Sequence, residues 1–421
     1  MFYRLVSFLN SKEKIFFLIG DAIALINAIS IPLLTYSEFN TVALCLQIVF
    51  YIYLAFLFII YKKSIPVSSV IVFLALWIIT LGISFGFNGF IQGYFTIISS
   101  SVLFLSFYLY TSISKYPRKI VAMFFVGFAF AAIIFLIRYL LQFGFSTIGR
   151  RVFDDYFGAI NSFAPIYTIG SILAAYYIFY GKKKWFLFLF YIFAFIIFTI
   201  AGFLTGSRQY LVGILVPCSF LIAYYYGKKK WYFSLLIFVI LFLSVFLFAQ
   251  IPVFKTTFER LLDFFSIFSE EVSSQTDYSS INRLFMINEA IYLFSTKPLF
   301  GYGANGVTFF GSFATYSHNT FSELLCNFGI MGFLFYELML FIPVLYVYMS
   351  KLEKKDKAIL YIVCLFAVTQ QMFSVLYLQK ILMVIVGIAS GYASSFLKDV
   401  GSFTKLVGKW IMKPQRVILE I

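Results

Sequence analysis

Apolar stretches of eighteen or more residues recur from one end of this chain to the other, and that recurrence limits what it can become. The run "WFLFLFYIFAFIIFTIAGFL" at 185–204 holds no charge at all. Such a run matches the ~20 residues a helix needs to cross the hydrocarbon core of a bilayer. Lipid offers no water to backbone N–H and C=O groups, so a spanning segment must be a helix or part of a closed barrel. A barrel requires short strands that alternate polar and apolar residues, and these runs are solidly apolar. Charged residues make up 12% of the chain, about half the usual share of a soluble protein. The fold class is therefore all-α, a polytopic helical membrane protein.

Spans read at 15–35, 41–61, 66–86, 91–112, 119–142, 160–180, 185–205, 210–226, 231–251, 319–349, 358–377 and 380–397, twelve in all. The formal net charge of +15 suggests nucleic acid until the charges are placed. They cluster between spans, at Lys62-Lys63, Lys115/Arg118/Lys119, Lys182 to Lys184, Lys228 to Lys230 and Lys351/Lys354/Lys355/Lys357. This is the positive-inside pattern of cytoplasmic loops, and nucleic acid is discarded as a partner. It sets both termini in the cytoplasm of a bacterium-type inner membrane. The first apolar segment reads as an uncleaved span rather than a signal peptide. Cys45, Cys218, Cys326 and Cys364 all fall in apolar runs at no metal-ligand spacing, and read as buried small hydrophobes.

Four regions follow: spans one to nine over 1–251, a large outer loop over 252–318, spans ten to twelve over 319–397, and a basic tail over 398–421. The tail reads as a cytoplasmic surface helix on anionic lipid. The loop is too long for an idle connection, and loops of this kind usually carry function. Asp277 and Ser279-Ser280 form an N-cap signal for a helix near 280–296, stopped by Pro298 and Gly301. That helix should lie near the membrane surface, with Phe285 and Ile291 turned toward lipid or protein.

The ionisable residues of the outer side are the candidates for chemistry. Arg208, in "TGSRQY", sits in a tight turn close to the membrane plane; alone it reads as an arginine snorkelling to headgroups. Arg283 opens the outer helix and Arg260 precedes it; alone they balance Glu270, Glu271, Asp277 and Glu289. Arg150-Arg151 with Asp154-Asp155 reads as a surface ion-pair group. His318, the only histidine of the chain, opens span ten. On a helix it would share a face with Phe321, Ser322, Leu325, Gly329 and Gly332, whose small residues would admit a neighbouring helix. Taken together, several arginines and one histidine meet a polar loop on one side of a nearly uncharged bundle. Arginine forks match phosphate oxygens, and a histidine can take a proton from an attacking hydroxyl. No DxD pair occurs and no metal or cofactor is expected. The set suits metal-independent transfer from a lipid diphosphate.

The ordered motifs resemble a known family. "SHNTFSELLCNFGIMGFLFY" resembles the His-Asn…Leu…Gly-x-x-Gly signature of the O-antigen ligase/polymerase superfamily. "TGSRQY" resembles its Ser-Arg element, "INRLFMINEAIYLFSTKPLFGYGANGV" its Arg…Ala…Pro-Leu-x-Gly-x-Gly segment, and "RRVFDDYFGAINSFAP" its Arg…Asn-x-x-Ala element. The likeness covers roughly 150–350. It implies a GT-C-like glycosyltransferase whose donor is an undecaprenyl-diphosphate-linked oligosaccharide, with inversion at the anomeric carbon. It implies catalytic roles for His318, Arg208 and Arg283, and substrate contacts for Arg260, Asn161, Arg151, Asn319 and Glu289. Many ligases read His-Ser-His where this chain reads "YSH" at 316–318, which turns the expectation toward a Wzy-type polymerase of O-antigen or capsule repeat units. A ligase acting on lipid A–core is the runner-up. A lipid-linked oligosaccharide flippase or other transporter stands third; it would place ionisable groups near the midplane, where only Asp21 and Arg138 qualify. Membrane lipids, a chain-length regulator and a flippase are the expected partners. Should His318 not be the base, Glu289, Glu323 or the substrate itself would have to be.

Overall fold

The computed structural model describes residues 13–33, 40–61, 68–89, 93–114, 117–143, 163–182, 184–227, 232, 278–350 and 352–395. Regular structure among them is helical throughout: α1 (Glu13–Leu33), α2 (Asn40–Tyr61), α3 (Ser69–Asn88), α4 (Gly93–Ile113), α5 (Pro117–Phe143), α6 (Ala164–Tyr180), α7 (Trp185–Leu204), α8 (Arg208–Tyr226), α9 (Tyr278–Thr296), α10 (Gly306–Phe310), α11 (Thr320–Met349), α12 (Lys354–Gln371), a 3-10 turn (Leu376–Leu378) and α13 (Lys380–Ser395). Seven of these are long and apolar enough to cross a membrane: α2, α3, α4, α5, α7, α8 and α11. The apolar helices α6 and α13 are shorter. The exposed faces confirm the solvent. On α7, Trp185, Phe186, Phe188, Leu189, Phe190, Phe193, Ile196 and Ile200 all point outward. Water would not tolerate an apolar face that continuous, but lipid does. The chain is an all-α, multi-pass membrane protein.

Helices stand at eleven of the twelve expected spans, and the expected span at 231–251 lies outside the described residues, as do 252–277 and 398–421. The expected span at 358–377 is different in form. Its helix stops at Gln371, a turn follows, and the 3-10 turn begins at Leu376. Thr320 explains the break: its hydroxyl donates to the carbonyl of Ser374 and accepts from the N–H of Leu376 at 2.9 Å, doing the work of a helical bond. The outer helix is found at Tyr278–Thr296, so Ser279 and Ser280 lie inside it rather than capping it. Its buried face is Ala290 and Leu293, against Val307 and Cys326; Phe285 and Ile291 are turned away from the protein. Cys45 is exposed on α2, whereas Cys218 and Cys326 are buried as expected.

Two close approaches organise the bundle. Along α13, Gly387 and Gly391 lie one turn apart against α4. A Cβ at either would stand 2.6 Å from the Phe104 carbonyl oxygen or 2.4 Å from that of Tyr108. Small residues at i and i+4 let two backbones touch, and in lipid that contact supplies the packing energy. The second approach interrupts α11. Gly329 adopts φ 65° and ψ −168°, which breaks the helix in its first third. The break frees the carbonyls of Cys326 and Asn327 and the N–H groups of Ile330 and Met331. The segment after α9 takes all four. Tyr302 N–H donates to Cys326 O at 2.9 Å and Gly303 N–H to Asn327 O at 2.7 Å; Ile330 N–H donates to Pro298 O at 2.8 Å and Met331 N–H to Leu299 O at 3.4 Å. The Gly329 spacing was expected to admit a helix; it admits this loop. Around it Trp77 of α3 packs edge-on to Phe328 and Tyr336, and Tyr377 closes the aromatic group.

The two ends of the bundle differ. At one, Arg118 donates to Asp356 and Glu353, Tyr392 donates to Asp356, and Lys119 pairs with Asp21, which also accepts from Tyr110 at 2.7 Å. Asp21 is thus tied to the first turn of α5 rather than free at the midplane. The other end holds the starts of α8 and α11 and the end of α12. Arg138 lies near that end, about five residues from the close of α5. The sequence reading passed over Glu337, which is buried on α11 beside Gln371.

Gly329 should tolerate no side chain. A Cβ there would lie 2.3 Å from the Leu299 backbone, in a left-handed conformation that L-residues disfavour. Gly329→Ala should destabilise by roughly 3–5 kcal/mol and collapse the monodisperse peak in fluorescence-detected gel filtration. Gly82→Ala, in open space on α3, should leave that peak unchanged.

Candidate functional site

The N-terminus of α11 is prepared by a short network of side chains. Asn319 is the N-cap, and its side-chain oxygen accepts from Ser322 N–H at 3.1 Å. Ser317, just before it, is fully buried; its N–H donates to Glu323 at 2.7 Å and its hydroxyl to Asn319 O at 3.0 Å. The other oxygen of Glu323 accepts from Asn327 at 3.2 Å. Asn327 in turn donates to the Tyr377 hydroxyl at 3.0 Å and accepts from Val307 N–H at 3.1 Å. Both carboxyl oxygens of Glu323 and both ends of the Asn327 amide have partners, which is the condition for keeping such groups in a bundle interior.

His318 is held by this network but is not on the helix. It adopts φ 57°, the left-handed conformation, between buried Ser317 and the cap. The helical face drawn through Phe321, Leu325 and Gly332 therefore does not include it. The imidazole packs against the Tyr316 ring, 4.2 Å between centroids. Burial, reinforced by the Arg283 guanidinium, pushes the imidazole down to about 4, so it is neutral at physiological pH. The same guanidinium acts on the Tyr316 hydroxyl. Arg283 of α9 and His318 thus occupy one electrostatic neighbourhood although 35 positions separate them.

Arg208 is brought to the same end by a different route. It is the first residue of α8, only 4% exposed, after a turn in which Gly206 takes φ 60°. A buried cation at the positive end of a helix is unfavourable by itself and favourable beside an anion. Its neighbour Gln209 donates to Gln370 and, at 3.1 Å, to Ser374. Ser374 O accepts from Thr320, the residue after the Asn319 cap. A continuous hydrogen-bonded path therefore joins the start of α8 to the start of α11.

The remaining candidates fall out differently. Glu289 faces the loop before His318, where one oxygen accepts from Ser312 N–H at 2.7 Å and from the Ser312 hydroxyl. It holds that loop to α9. The side-chain oxygen of Asn319 is occupied as a cap. Arg260, Asn161 and Arg151 lie outside the described residues. Among the described residues no group of three His, Cys, Asp or Glu could hold a metal ion. Glu323, Asn327, Gln209 and Gln370 are the residues that arrange the site. A signal for the first two was present, since Glu323 and Asn327 are four apart at the start of a mostly apolar helix.

Comparison with known proteins agrees with this geography. Residues 192–336 match the family model Wzy_C, described as O-antigen ligase. The matched segment begins in α7, takes in Arg208, Arg283 and His318, and ends at Tyr336. No curated protein matches the chain.

Two outcomes should separate the parts of this site. His318 has a lower proton affinity folded than unfolded, so its contribution to stability is present above the ordinary histidine value near 6.5 and is lost as pH falls toward 4. Thermal midpoints of the wild type should therefore drop more steeply than those of His318→Asn between those values, by a difference on the order of 1–3 kcal/mol. Asparagine suits the left-handed backbone, so the variant should fold. Glu323→Gln should be worse than its similar shape suggests. Ser317 N–H and the Asn327 amide both need an acceptor, and glutamine offers one oxygen, leaving a donor unsatisfied at about 1–3 kcal/mol; a midpoint equal to the wild type's would refute the assigned network.

Proposed function

We propose that this protein is a membrane glycosyltransferase that moves a glycan from a lipid diphosphate to an acceptor hydroxyl, without a metal ion, on the outer face of a bacterial cytoplasmic membrane. The observation that carries the reading is the joint placement of buried Arg208 with half-buried Arg283 and His318 at one end of the bundle, within a segment matched by the O-antigen ligase family model. The acceptor oxygen attacks the anomeric carbon while the bond from that carbon to the diphosphate oxygen breaks. The diphosphate leaves with the electron pair, stabilised by Arg208, the start of α8 and Arg283. The hydroxyl proton passes to His318.

With burial and the Arg283 guanidinium pushing its imidazole down to about 4, His318 is a poor base by itself. Arg283 is part of the cause, and a bound diphosphate would offset its charge. Substrate binding thus raises the proton affinity of His318 when a base is required. The description of the matched family favours ligase-type transfer to a lipid A–core acceptor. Polymerisation of repeat units is the second reading, supported by Tyr316 where many ligases carry histidine.

The test is purified protein with an undecaprenyl-diphosphate-linked repeat unit, read on a polysaccharide gel with and without a lipid A–core acceptor. Glycan appearing only on the core acceptor supports a ligase, and a ladder formed from the repeat unit alone supports a polymerase. His318→Asn, Arg208→Ala and Arg283→Ala should each lower the rate by about 10²- to 10⁴-fold at unchanged membrane level. Arg→Lys should rescue poorly because the planar fork is lost. Activity should persist in EDTA. Normal transfer by His318→Asn would remove the histidine from the chemistry.

A further inference from the structure

At the end of the bundle opposite His318, roughly 25 Å away along α12, a cavity of about 420 Å³ opens between α5, α6, α7, α12 and α13. Arg118, Lys182 and Lys355 line it together with Tyr180, Tyr191 and Tyr392. The charges are not equivalent. Arg118 is clamped by Asp356 and forms a fixed wall. Lys355 has only the exposed Glu353 at 2.7 Å, a surface pair of little worth, so its ammonium can turn inward. Lys182 is exposed at the mouth. Tyr180, Tyr191 and Tyr392 supply an aromatic wall behind the two lysines.

We propose that this cavity binds a phosphate-bearing anion, with the phosphate between Lys182 and Lys355 against the Arg118 wall. Its place at the ends of membrane-spanning helices fits an anionic lipid headgroup. The adjoining apolar gap lined by Val121, Ile359 and Tyr392 continues from the cavity between the same helices. Headgroup sites of this kind form where basic residues meet between helices at the membrane surface. The site takes no part in the chemistry at His318, and it stands whether or not that chemistry is correct.

The test uses the full chain, delipidated in a neutral detergent and titrated with phosphatidylglycerol or phosphatidylcholine while bound lipid is counted by native mass spectrometry. Phosphatidylglycerol should bind more tightly than phosphatidylcholine. Each lysine should contribute about fivefold, so Lys182→Ala/Lys355→Ala should weaken phosphatidylglycerol by roughly 25-fold and leave phosphatidylcholine unchanged. Lys182→Arg/Lys355→Arg should keep the binding. Displacement of phosphatidylglycerol by inorganic phosphate would assign the site to soluble phosphate; its absence would assign it to the lipid. Equal binding of the two lipids by the wild type, which needs no variant to fold, overturns the proposal. So does a folded double alanine variant that binds phosphatidylglycerol as the wild type does.

Discussion

Backbone hydrogen bonding in a medium without water governs this structure, and it is tested hardest at Gly329. A helix broken inside lipid exposes two carbonyls and two N–H groups, each of which would be left unsatisfied at a penalty of several kcal/mol. The loop after α9 supplies two donors, Tyr302 and Gly303, and two acceptors, Pro298 and Leu299. The exchange is complete. It also fixes the loop, and with it α9, against α11. Arg283 stands near His318 because α9 is docked in this way, so the position of a charged residue follows from the repair of a backbone.

The second constraint is the shortage of ways to hold a polar loop above an apolar bundle. Here one buried carboxyl does most of it. Glu323 reaches back from the first turn of α11 to Ser317, and through Asn327 it is tied to Val307 and Tyr377. The left-handed residue that follows Ser317 then has little freedom. Its imidazole lies over the Tyr316 ring rather than along the helix. On the other side Gln209, Gln370, Ser374 and Thr320 carry the register of α8 across to α11. Both networks determine where the three residues proposed for chemistry sit.

Much of the architecture was legible in the sequence, because hydrophobic length is a direct physical requirement of a span. The spans expected at 185–205 and 210–226 follow from composition alone and are found at Trp185–Leu204 and Arg208–Tyr226, and the outer helix was bounded within two residues by Pro298 and its polar flank. Arg208, Arg283 and His318 could be selected because charges are scarce and these fall outside the lysine clusters. What could not be read was conformation at single residues. The pattern at 318–332 has helical spacing, and nothing in spacing reveals that His318 lies outside the helix or that Gly329 breaks it. Glu337, Gln370 and Gln371 were hidden for a related reason: isolated polar residues scarcely change the hydropathy of a span, while their meaning lies in contacts between helices. The pairing of Asp21 with Lys119 is a long-range contact of the same kind.

The contact between α4 and α13 has a consequence for how the protein is made. These helices touch backbone to backbone at Gly387 and Gly391, but almost three hundred residues lie between them. A ribosome releases α4 long before α13 exists. In that interval the seryl face of α4 must reside in the bilayer with its final neighbour missing. The helix is equipped for the wait: Ser101 and Ser106 donate to the carbonyls of Ile97 and Val102, four residues back in their own helix. Their hydroxyls need no partner from elsewhere. With those hydroxyls satisfied within the helix, α4 can remain in the membrane as an unfinished surface until α13 emerges to cover it.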